Sequence, residues 1–272
     1  MTRARPPQTT PGSTDALLQV RGLCKRFGGL VAVADLDLDV FAGEVLGVIG
    51  PNGAGKSTIF NLIAGALPAS SGSIAFAGES LTGVGAHGVA RRGILRTFQH
   101  NKPFASMTLR ENIMVGMHTA FQGSLFKVLA GAQSARQAEA EALQRADALL
   151  EFVGLAEWRA TDVANLSFGQ GRLLEIARAM AATPRLMLFD EPAAGLTPAE
   201  CTCIGDIIRG IAGRGIAVLL IEHDMRFLMA LAHRVMVLNF GRKIAQGTPQ
   251  QVQADPNVVA AYLGDVGVLA DA

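Results

Sequence analysis

A glycine-rich run that ends in a lysine and two hydroxyl side chains carries the clearest chemistry in the chain. The run consists of Gly50, Pro51, Asn52, Gly53, Ala54, Gly55, Lys56, Ser57 and Thr58. It satisfies the pattern GxxxxGK[ST], whose glycines let successive backbone amides face inward as an anion nest. Lys56 offers an ammonium group to the outer phosphates of a nucleotide, and Ser57 offers a hydroxyl group to Mg2+. The alternative is a glycine-rich turn with an incidental lysine.

Two adjacent carboxylates, Asp190 and Glu191, follow the apolar residues 186–189. Burying two acids at the end of a strand is unfavourable unless a cation or a proton meets them. Beside a phosphate site, Asp190 would hold Mg2+ directly or through water, and Glu191 would orient and polarise the attacking water. The alternative is a strand end that reaches solvent with two ordinary acids.

Residues 166–170, with the sequence Leu-Ser-Phe-Gly-Gln, precede a predicted helix. Unpaired amides at a helix N-terminus, together with the helix dipole, attract anions. Ser167 and Gly169 place a hydroxyl group and a sterically open backbone there, and a phosphate group is the natural guest. The alternative is a capped surface helix.

Short apolar runs alternate with helical stretches, which favours an α/β sheet. Val45–Ile49, residues 186–189 and Ala217–Ile221 are apolar runs of strand length, as in a sheet buried on both faces. The chemical residues follow these runs at their C-terminal ends. Residues 35–40 alternate between aspartate and aliphatic side chains, as a half-exposed strand would.

Two helical regions are predicted. Residues 59–65 would form the helix whose dipole is directed at the phosphates. Between about residues 110 and 165, apolar residues recur at helical spacing without β-branched strands nearby, which predicts a helical insertion. The recurring residues are Ala142, Leu143, Ala146, Leu149, Leu150 and Val153.

Length and composition limit the class of protein. The 272 residues suit one or two domains, at roughly 150 residues for each domain. Lys plus Arg number 24 against 23 for Asp plus Glu, so no general attraction to nucleic acid or anionic lipid is implied. The mean hydropathy is +0.31, but no segment approaches the ~20 apolar residues of a membrane helix. Residues 1–16 lack a secretory apolar stretch, which predicts a disordered tail and a cytosolic protein.

The three cysteines, Cys24, Cys201 and Cys203, are too few and too scattered for a disulfide framework. Cys201 and Cys203 are two positions apart on a predicted helix, so they face different ways and do not form a chelating pair.

The order of these motifs resembles that of the ABC-type ATPases from about residue 17 to residue 264. Residues 166–170 are similar to the LSGGQ signature of that family, with Phe168 where the commonest pattern has glycine. Gln99, in the string Arg-Thr-Phe-Gln-His at 96–100, matches the Q-loop glutamine, and the resemblance implies that it touches Mg2+ or water. His223, after the Ala217–Ile221 run, matches the switch histidine, which implies donation to the γ-phosphate.

Two further positions bear on the resemblance. Phe27 matches the aromatic residue on which the family stacks adenine, and a core phenylalanine is the alternative. Residues 193–198 lie where the family's D-loop commonly ends in Asp, and Ala194 and Thr197 depart from that pattern. Thr197 and Glu200 instead predict a capping box, with proline at the first helical position.

The resemblance implies an α/β P-loop NTPase (RecA-like) fold with a mixed-sheet core, an antiparallel β subdomain and an α-helical signature subdomain. It implies an ABC ATPase domain over residues 17–264, a helical subdomain inserted at about 100–180, and a C-terminal tail over 265–272. ATP and Mg2+ are the implied cofactors. The signature of one subunit, with Ser167, Phe168, Gly169 and Gln170, is expected to face the phosphate site of a second subunit. Two ATP molecules would then be sandwiched in a homodimer or a heterodimer.

Within the family, the chain is most similar to the ATPase subunits of branched-chain and hydrophobic amino acid importers. The likeness rests on residues 96–100, Phe168, residues 193–198 and 221–225, and the tail from 247–249 to 262–264. It implies two membrane permease subunits, an external solute-binding protein, a position at the cytoplasmic face of the membrane, and no nucleic acid partner. Phe104 and Met107 are expected either to meet a permease helix or to pack inside the domain.

Other functions share the same catalytic residues. A urea importer or a lipid or lipopolysaccharide exporter would carry them too, and residues 96–100 favour the amino acid importer. A non-transport ABC ATPase acting on ribosomes or DNA is disfavoured by the single nucleotide-binding unit, the near-neutral charge and the lack of a long coiled-coil insertion. A scaffold that does not hydrolyse nucleotide is disfavoured by Glu191 and His223.

Overall fold

Two sheets and a set of helices make up the described part of the chain. A computed structural model describes residues 15–97, 103–117 and 132–266. The strands are β1 (Leu18–Phe27), β2 (Leu30–Val40), β3 (Val45–Ile49), β4 (Ser71–Phe76), β5 (Glu79–Ser80), β6 (Ile94–Arg96), β7 (Leu186–Asp190), β8 (Ala217–Ile221), β9 (Arg234–Asn239) and β10 (Arg242–Gly247). The helices are α1 (Lys56–Ile63), α2 (Ala86–Arg91), α3 (Leu109–Met117), α4 (Ala132–Phe152), α5 (Phe168–Ala181), α6 (Pro198–Gly213), α7 (Met225–Leu231), α8 (Pro249–Gln253) and α9 (Pro256–Val266).

The central sheet places the three predicted apolar strands side by side. Its order in the described chain is β10-β9-β3-β8-β7-β6. β10 is antiparallel to β9, and the remaining neighbours are parallel. Every residue of β3 and β8 is buried, as expected for strands covered on both faces. The predicted mixed-sheet α/β core is confirmed.

The second sheet is antiparallel and has the order β2-β1-β4-β5. Leu36, Leu38 and Val40 are buried on β2, so the alternating pattern predicted for this strand is confirmed. They belong to one apolar cluster with Phe60 of α1 and Leu46 of β3. Each such side chain contributes about 1.5–3 kcal/mol by leaving water. The cluster therefore fixes the second sheet against α1 and the central sheet.

The helices α3, α4 and α5 pack on one another and join a second apolar cluster. Ala146 and Leu150 of α4 and Val153 directly after it are almost fully buried, so the helical spacing predicted for this region is confirmed. Met187 and Phe189 of β7 belong to the same cluster, which links the three helices to the central sheet. Within the described ranges, no helix is both long and apolar enough to span a bilayer.

The start of the helix after the glycine-rich run differs from its prediction. The predicted start at residue 59 is wrong, because α1 begins at Lys56. Gly55 has the left-handed φ of 101° at the N-cap, which turns the chain into the helix earlier. Lys56 and Ser57 therefore lie in the first helical turn.

Parts of the predicted tails lie outside the described residues, namely 1–14 and 267–272. The predicted domain boundaries at 1–16, 17–264, 100–180 and 265–272 stay predictions.

A fully buried asparagine holds the loop over residues 103–108. The Asn112 side-chain oxygen accepts a hydrogen bond from the backbone amide of Phe104 at 2.9 Å. Its amide nitrogen donates to the carbonyl oxygens of Phe104 at 3.1 Å, Met107 at 3.3 Å and Thr108 at 3.0 Å. This side chain, at 0% exposure, is the partner of the Phe104 amide, whereas the three carbonyl oxygens also accept backbone hydrogen bonds from the amides of Met107, Val163 and Asn112.

Replacing Asn112 by leucine should destabilise the protein, because the volume is retained while the backbone amide of Phe104 loses its hydrogen-bond partner. We expect Asn112→Leu to lower the free energy of unfolding by about 1–3 kcal/mol, measured by denaturant titration. The control is Asn165→Leu at an exposed position, which should change that free energy by less than about 0.5 kcal/mol. Equal effects of the two substitutions would contradict the proposed role of Asn112.

Candidate active site

Residues 50–55 form a loop between β3 and α1 that passes very close to two other strands. Gly50 and Gly55 have φ values of 154° and 101°, which side-chain-bearing residues rarely adopt. A Cβ atom at Gly55 would lie 2.5 Å from the carbonyl oxygen of Ala32 on β2, and one at Gly50 would meet the carbonyl oxygen of Leu238 on β9. Both positions therefore require glycine for their torsion angles and for space.

Lys56 extends from the first turn of α1 back into this loop. Its ammonium group donates to the carbonyl oxygens of Gly50 at 2.6 Å and Pro51 at 3.0 Å. Burial lowers the pKa of Lys56, and the nearby carboxylates of Glu191 and Asp190 act against that shift. The ammonium group thus lies between the loop and the two acids.

Glu191 and His223 are in direct contact. Glu191 follows β7 with the left-handed φ of 52°, and its backbone amide donates to the carbonyl oxygen of Ile221 at 2.9 Å. The Glu191 Oε1 atom lies 2.7 Å from Nε2 of His223. Left-handed backbone at a residue with a side chain is strained and persists where the surrounding structure enforces it. The two residues predicted separately as catalytic therefore lie in direct contact.

Asp190 is paired with an arginine that the sequence analysis did not assign to the site. Its Oδ2 atom accepts from Nη2 of Arg96 at 2.5 Å, and both side chains are mostly buried. Arg96 ends β6, which pairs in parallel with β7 beside Leu188. A signal was present in the sequence, because Arg96 opens the string at 96–100 that supports the subfamily likeness.

Glu222 is a second residue that sequence reasoning missed. It is 3% exposed and accepts hydrogen bonds from the backbone amides of Ala193 at 2.8 Å and His223 at 3.2 Å. Burial raises the pKa of Glu222, and its hydrogen bonds with these amides act against that shift. Glu222 therefore ties the turn that carries His223 to the loop after Glu191. Its signal was an acid directly after a fully apolar strand.

The signature residues form a capped helix start. Ser167 is the N-cap of α5, and its hydroxyl oxygen accepts from the backbone amide of Gln170 at 3.2 Å. The Gln170 side-chain oxygen accepts from the backbone amide of Ser167 at 2.9 Å. The capped-helix alternative is thus observed. The Ser167 side chain engages the Gln170 amide, which is one of the first-turn amides that a helix leaves without intrahelical partners.

Two residues of the signature lie beside the loop after Glu191 and the first turn of α6. A Cβ atom at Gly169 would meet the carboxylate of Glu200, and one at Gly195 would lie 3.5 Å from the Phe168 ring. The Phe168 side chain is 60% exposed, and its ring centre lies 5.2 Å from the guanidinium of Arg172. The described contacts place the signature beside the D-loop of its own chain.

Three predictions remain, for the adenine-stacking aromatic residue, the capping box before α6 and the Q-loop glutamine. Phe27 ends β1 and is 46% exposed, so the alternative of a core phenylalanine is wrong. Thr197 and Glu200 form the predicted capping box at the start of α6. Gln99 lies outside the described residues.

The residues present fit a nucleotide phosphate and Mg2+. The exposed Ser57 hydroxyl and the Asp190 carboxylate offer oxygen ligands, which Mg2+ prefers together with water and phosphate oxygens. No side chain in the described ranges caps α1, so its first amides are available to an anion.

Comparison with known families identifies the class of protein. A family model described as ABC transporter matches residues 33–194, which is more than half of the chain. A second model, described as branched-chain amino acid ATP-binding cassette transporter, matches residues 242–268. The chain therefore belongs to the ABC transporter family, as an ATP-binding subunit.

Individual relatives show which ABC transporter subunits the chain is similar to. The chain is 42% identical over 250 residues to the high-affinity branched-chain amino acid transport ATP-binding protein LivG of Escherichia coli (strain K12), covering 92% of this chain and 98% of the relative. The corresponding protein BraF of Pseudomonas aeruginosa is 42% identical over 254 residues, with coverage of 92% and 98%. A solved ATP-binding cassette of an ABC transporter in its ADP conformation is similar with a TM-score of 0.78 at 30% identity, over 92% of this chain and 100% of that chain. The expected P-loop NTPase fold is thereby confirmed.

Replacing either of two glycines in the phosphate loop by alanine should lower the free energy of unfolding, but by different amounts. Gly53 and Gly55 both have left-handed torsion angles, but a Cβ atom meets backbone only at Gly55. We expect Gly55→Ala to lower the free energy of unfolding by more than about 2 kcal/mol, and Gly53→Ala by about 1 kcal/mol. Denaturant titration of both variants measures the difference. A Gly55→Ala variant as stable as Gly53→Ala would show that the approach to Ala32 is not a constraint.

Proposed function

We propose that this chain is the ATP-hydrolysing subunit of an importer for branched-chain amino acids. The hydrolytic part rests on one observation, the convergence of the loop at 50–55 with Asp190, Glu191 and His223 at a single edge of the central sheet. The cargo is proposed from the 42% identity to LivG over 92% of this chain and from the family match at residues 242–268.

Nucleotide binding is proposed for the loop and for Phe27. Backbone amides of the loop over residues 50–55 and the ammonium group of Lys56 would hold the phosphates, and the exposed ring of Phe27 would stack on adenine. Ser57, Asp190 and Gln99 would hold Mg2+, which neutralises charge that develops on the transferred phosphoryl group.

Hydrolysis is proposed to depend on the Glu191–His223 pair. The Glu191 carboxylate orients a water molecule and accepts its hydrogen bond, so that the water oxygen attacks the γ-phosphorus in line with the leaving oxygen of ADP. The bond between the γ-phosphorus and that oxygen breaks, and the products are ADP and inorganic phosphate. His223 would hold the carboxylate through the 2.7 Å contact of its Nε2 atom before ATP binds, and would turn that donor to the γ-phosphate once ATP is bound.

A second ATPase subunit would complete each site. Phe168 lies beside Gly195 of the D-loop of its own chain and is exposed, and Gly169 lies beside Glu200 of α6. We propose that the signature of one subunit meets the phosphates held at Lys56 of the other, so that ATP closes the dimer and hydrolysis releases it.

Coupling to membrane subunits is proposed at the loop over residues 103–108. Phe104 is 46% exposed with its ring centre 5.6 Å from the guanidinium of Arg178, and Asn112 fixes the loop from beneath. This geometry suits contact with a permease at the cytoplasmic face of the membrane, where the chain would bind peripherally. An external solute-binding protein would deliver the amino acid to the permease.

Glu191→Gln should separate nucleotide binding from hydrolysis, because it removes only the carboxylate charge that activates water. We expect the variant to bind MgATP, to accumulate a closed dimer in size-exclusion chromatography and to lose at least about 100-fold in ATP turnover. The control is Glu79→Gln at an exposed acid, which should leave turnover unchanged. Near-normal turnover of Glu191→Gln would reject the catalytic assignment.

The proposed cargo, branched-chain amino acids, can be tested by measuring their uptake in cells that lack this chain. Expression of the wild-type chain should restore uptake of radiolabelled leucine, isoleucine and valine, and Lys56→Ala should not. Uptake of radiolabelled urea should be the same with and without the chain. Restoration of urea uptake alone would refute the proposed cargo while leaving the ATPase assignment intact.

A further inference from the structure

Arg96 links two elements of the active site that are distant in sequence. Its Nη1 atom donates to the side-chain oxygen of Asn61 on α1 at 2.6 Å, and its Nη2 atom donates to Oδ2 of Asp190 at the end of β7 at 2.5 Å. The parallel register of β6 with β7 places Arg96 opposite Leu188, so the guanidinium reaches the carboxyl end of β7. The linkage is thus built by strand pairing and by two side-chain hydrogen bonds.

The Arg96–Asp190 ion pair is mostly removed from water. The side chains of Arg96 and Asp190 are 16% and 11% exposed. Charge-assisted hydrogen bonds at such lengths are strong, and the planar guanidinium can hold two acceptors in a fixed geometry. A lysine ammonium is a point charge on a flexible stem and does not reproduce that planar fork. Arg96 is therefore suited to fix the positions of its acceptor groups as well as to balance the charge of Asp190.

The two elements that Arg96 joins carry the proposed Mg2+ ligands. Asn61 and Ser57 are on the same helix, α1, and Asp190 ends β7. Since Arg96 engages Oδ2 of Asp190, the other carboxylate oxygen, Oδ1, is left to a metal ion. Groups that hydrogen-bond a metal-binding carboxylate orient it and raise metal affinity, commonly by 10–100-fold.

We infer that Arg96 is a positioning residue for Mg2+, holding Asp190 against α1 so that Asp190 and Ser57 meet the metal in a fixed arrangement. This inference rests on the proposed function, because it takes the Mg2+ ligands from it. If Arg96 instead occupied the place of the metal, it would weaken Mg2+ binding. Substituting Arg96 should therefore weaken Mg2+ binding if it is a positioning residue and strengthen Mg2+ binding if it is a competitor.

The test measures binding of a fluorescent ADP analogue as a function of Mg2+ concentration, without any turnover. We expect Arg96→Gln to raise the Mg2+ concentration for half-maximal enhancement of binding by about 10–100-fold. In EDTA, binding of the analogue should match wild type, because the phosphate loop is unchanged. Arg96→Lys should give an intermediate shift, since it keeps the charge and loses the fork.

Two further variants locate the effect. Asn61→Ala removes one acceptor of the guanidinium and should shift the Mg2+ dependence in the same direction by a smaller factor. Arg92→Gln removes an exposed arginine that pairs with Glu79, and should match wild type. The melting temperature without nucleotide shows whether each variant is folded. If Arg96→Gln does not fold, Asn61→Ala and Arg96→Lys still decide the test.

Three results would overturn the inference. They are an unchanged Mg2+ dependence in Arg96→Gln, a lower Mg2+ requirement in that variant, and an equal loss of binding with Mg2+ and in EDTA. The second would make Arg96 a competitor of the metal, and the third would make its role purely structural. Failure of the proposed function is distinguishable, because the wild-type chain would then bind the analogue independently of Mg2+ or not at all.

Discussion

The parallel pairing of β3, β8 and β7 is the constraint on which the active site depends. In this register, Ile221 lies opposite Val48 on one side and Asp190 on the other. The residues after the three strands therefore leave the sheet at one edge, where open α/β sheets bind their ligands. The bond from the Glu191 amide to the Ile221 carbonyl oxygen extends the register beyond the strands. A shift of one residue in any of these strands would separate the phosphate loop from the acids.

Charged groups at this edge are held by specific partners. Lys56 is held by loop carbonyl oxygens, Asp190 by Arg96, Glu191 by His223, and Glu222 by two backbone amides. Burial shifts the pKa of Lys56 down and that of Glu222 up, which is the direction that disfavours charge in each case. The carboxylates of Glu191 and Asp190 counter this tendency at Lys56, and the hydrogen bonds from the two backbone amides counter it at Glu222. The site can therefore gather charge in a chain whose formal net charge is only +1.

The signature serves folding in one chain and is suited to a second role between chains. Its capping box starts α5 and accounts for Ser167 and Gln170. It does not account for Phe168, a large apolar side chain left 60% exposed beside Arg172. Exposed aromatic surface of this kind is typically buried at protein interfaces, which supports the proposed dimer. In this chain the aromatic ring also lies near Gly195 of the D-loop.

Local patterns in the sequence were sufficient for the phosphate loop, for β3 and β8, and for the cap at Thr197, because each depends on residues adjacent in the chain. The start of α1 was misplaced, since it depends on the torsion angle that Gly55 adopts under β2. The pairs Arg96–Asp190 and Glu191–His223 depend on the strand order β3-β8-β7-β6. Apolar runs predict that such strands exist but do not encode which of them are neighbours, because strand order follows from how the connecting helices pack. Tertiary packing therefore decided which charged groups meet, and with that the geometry of the site.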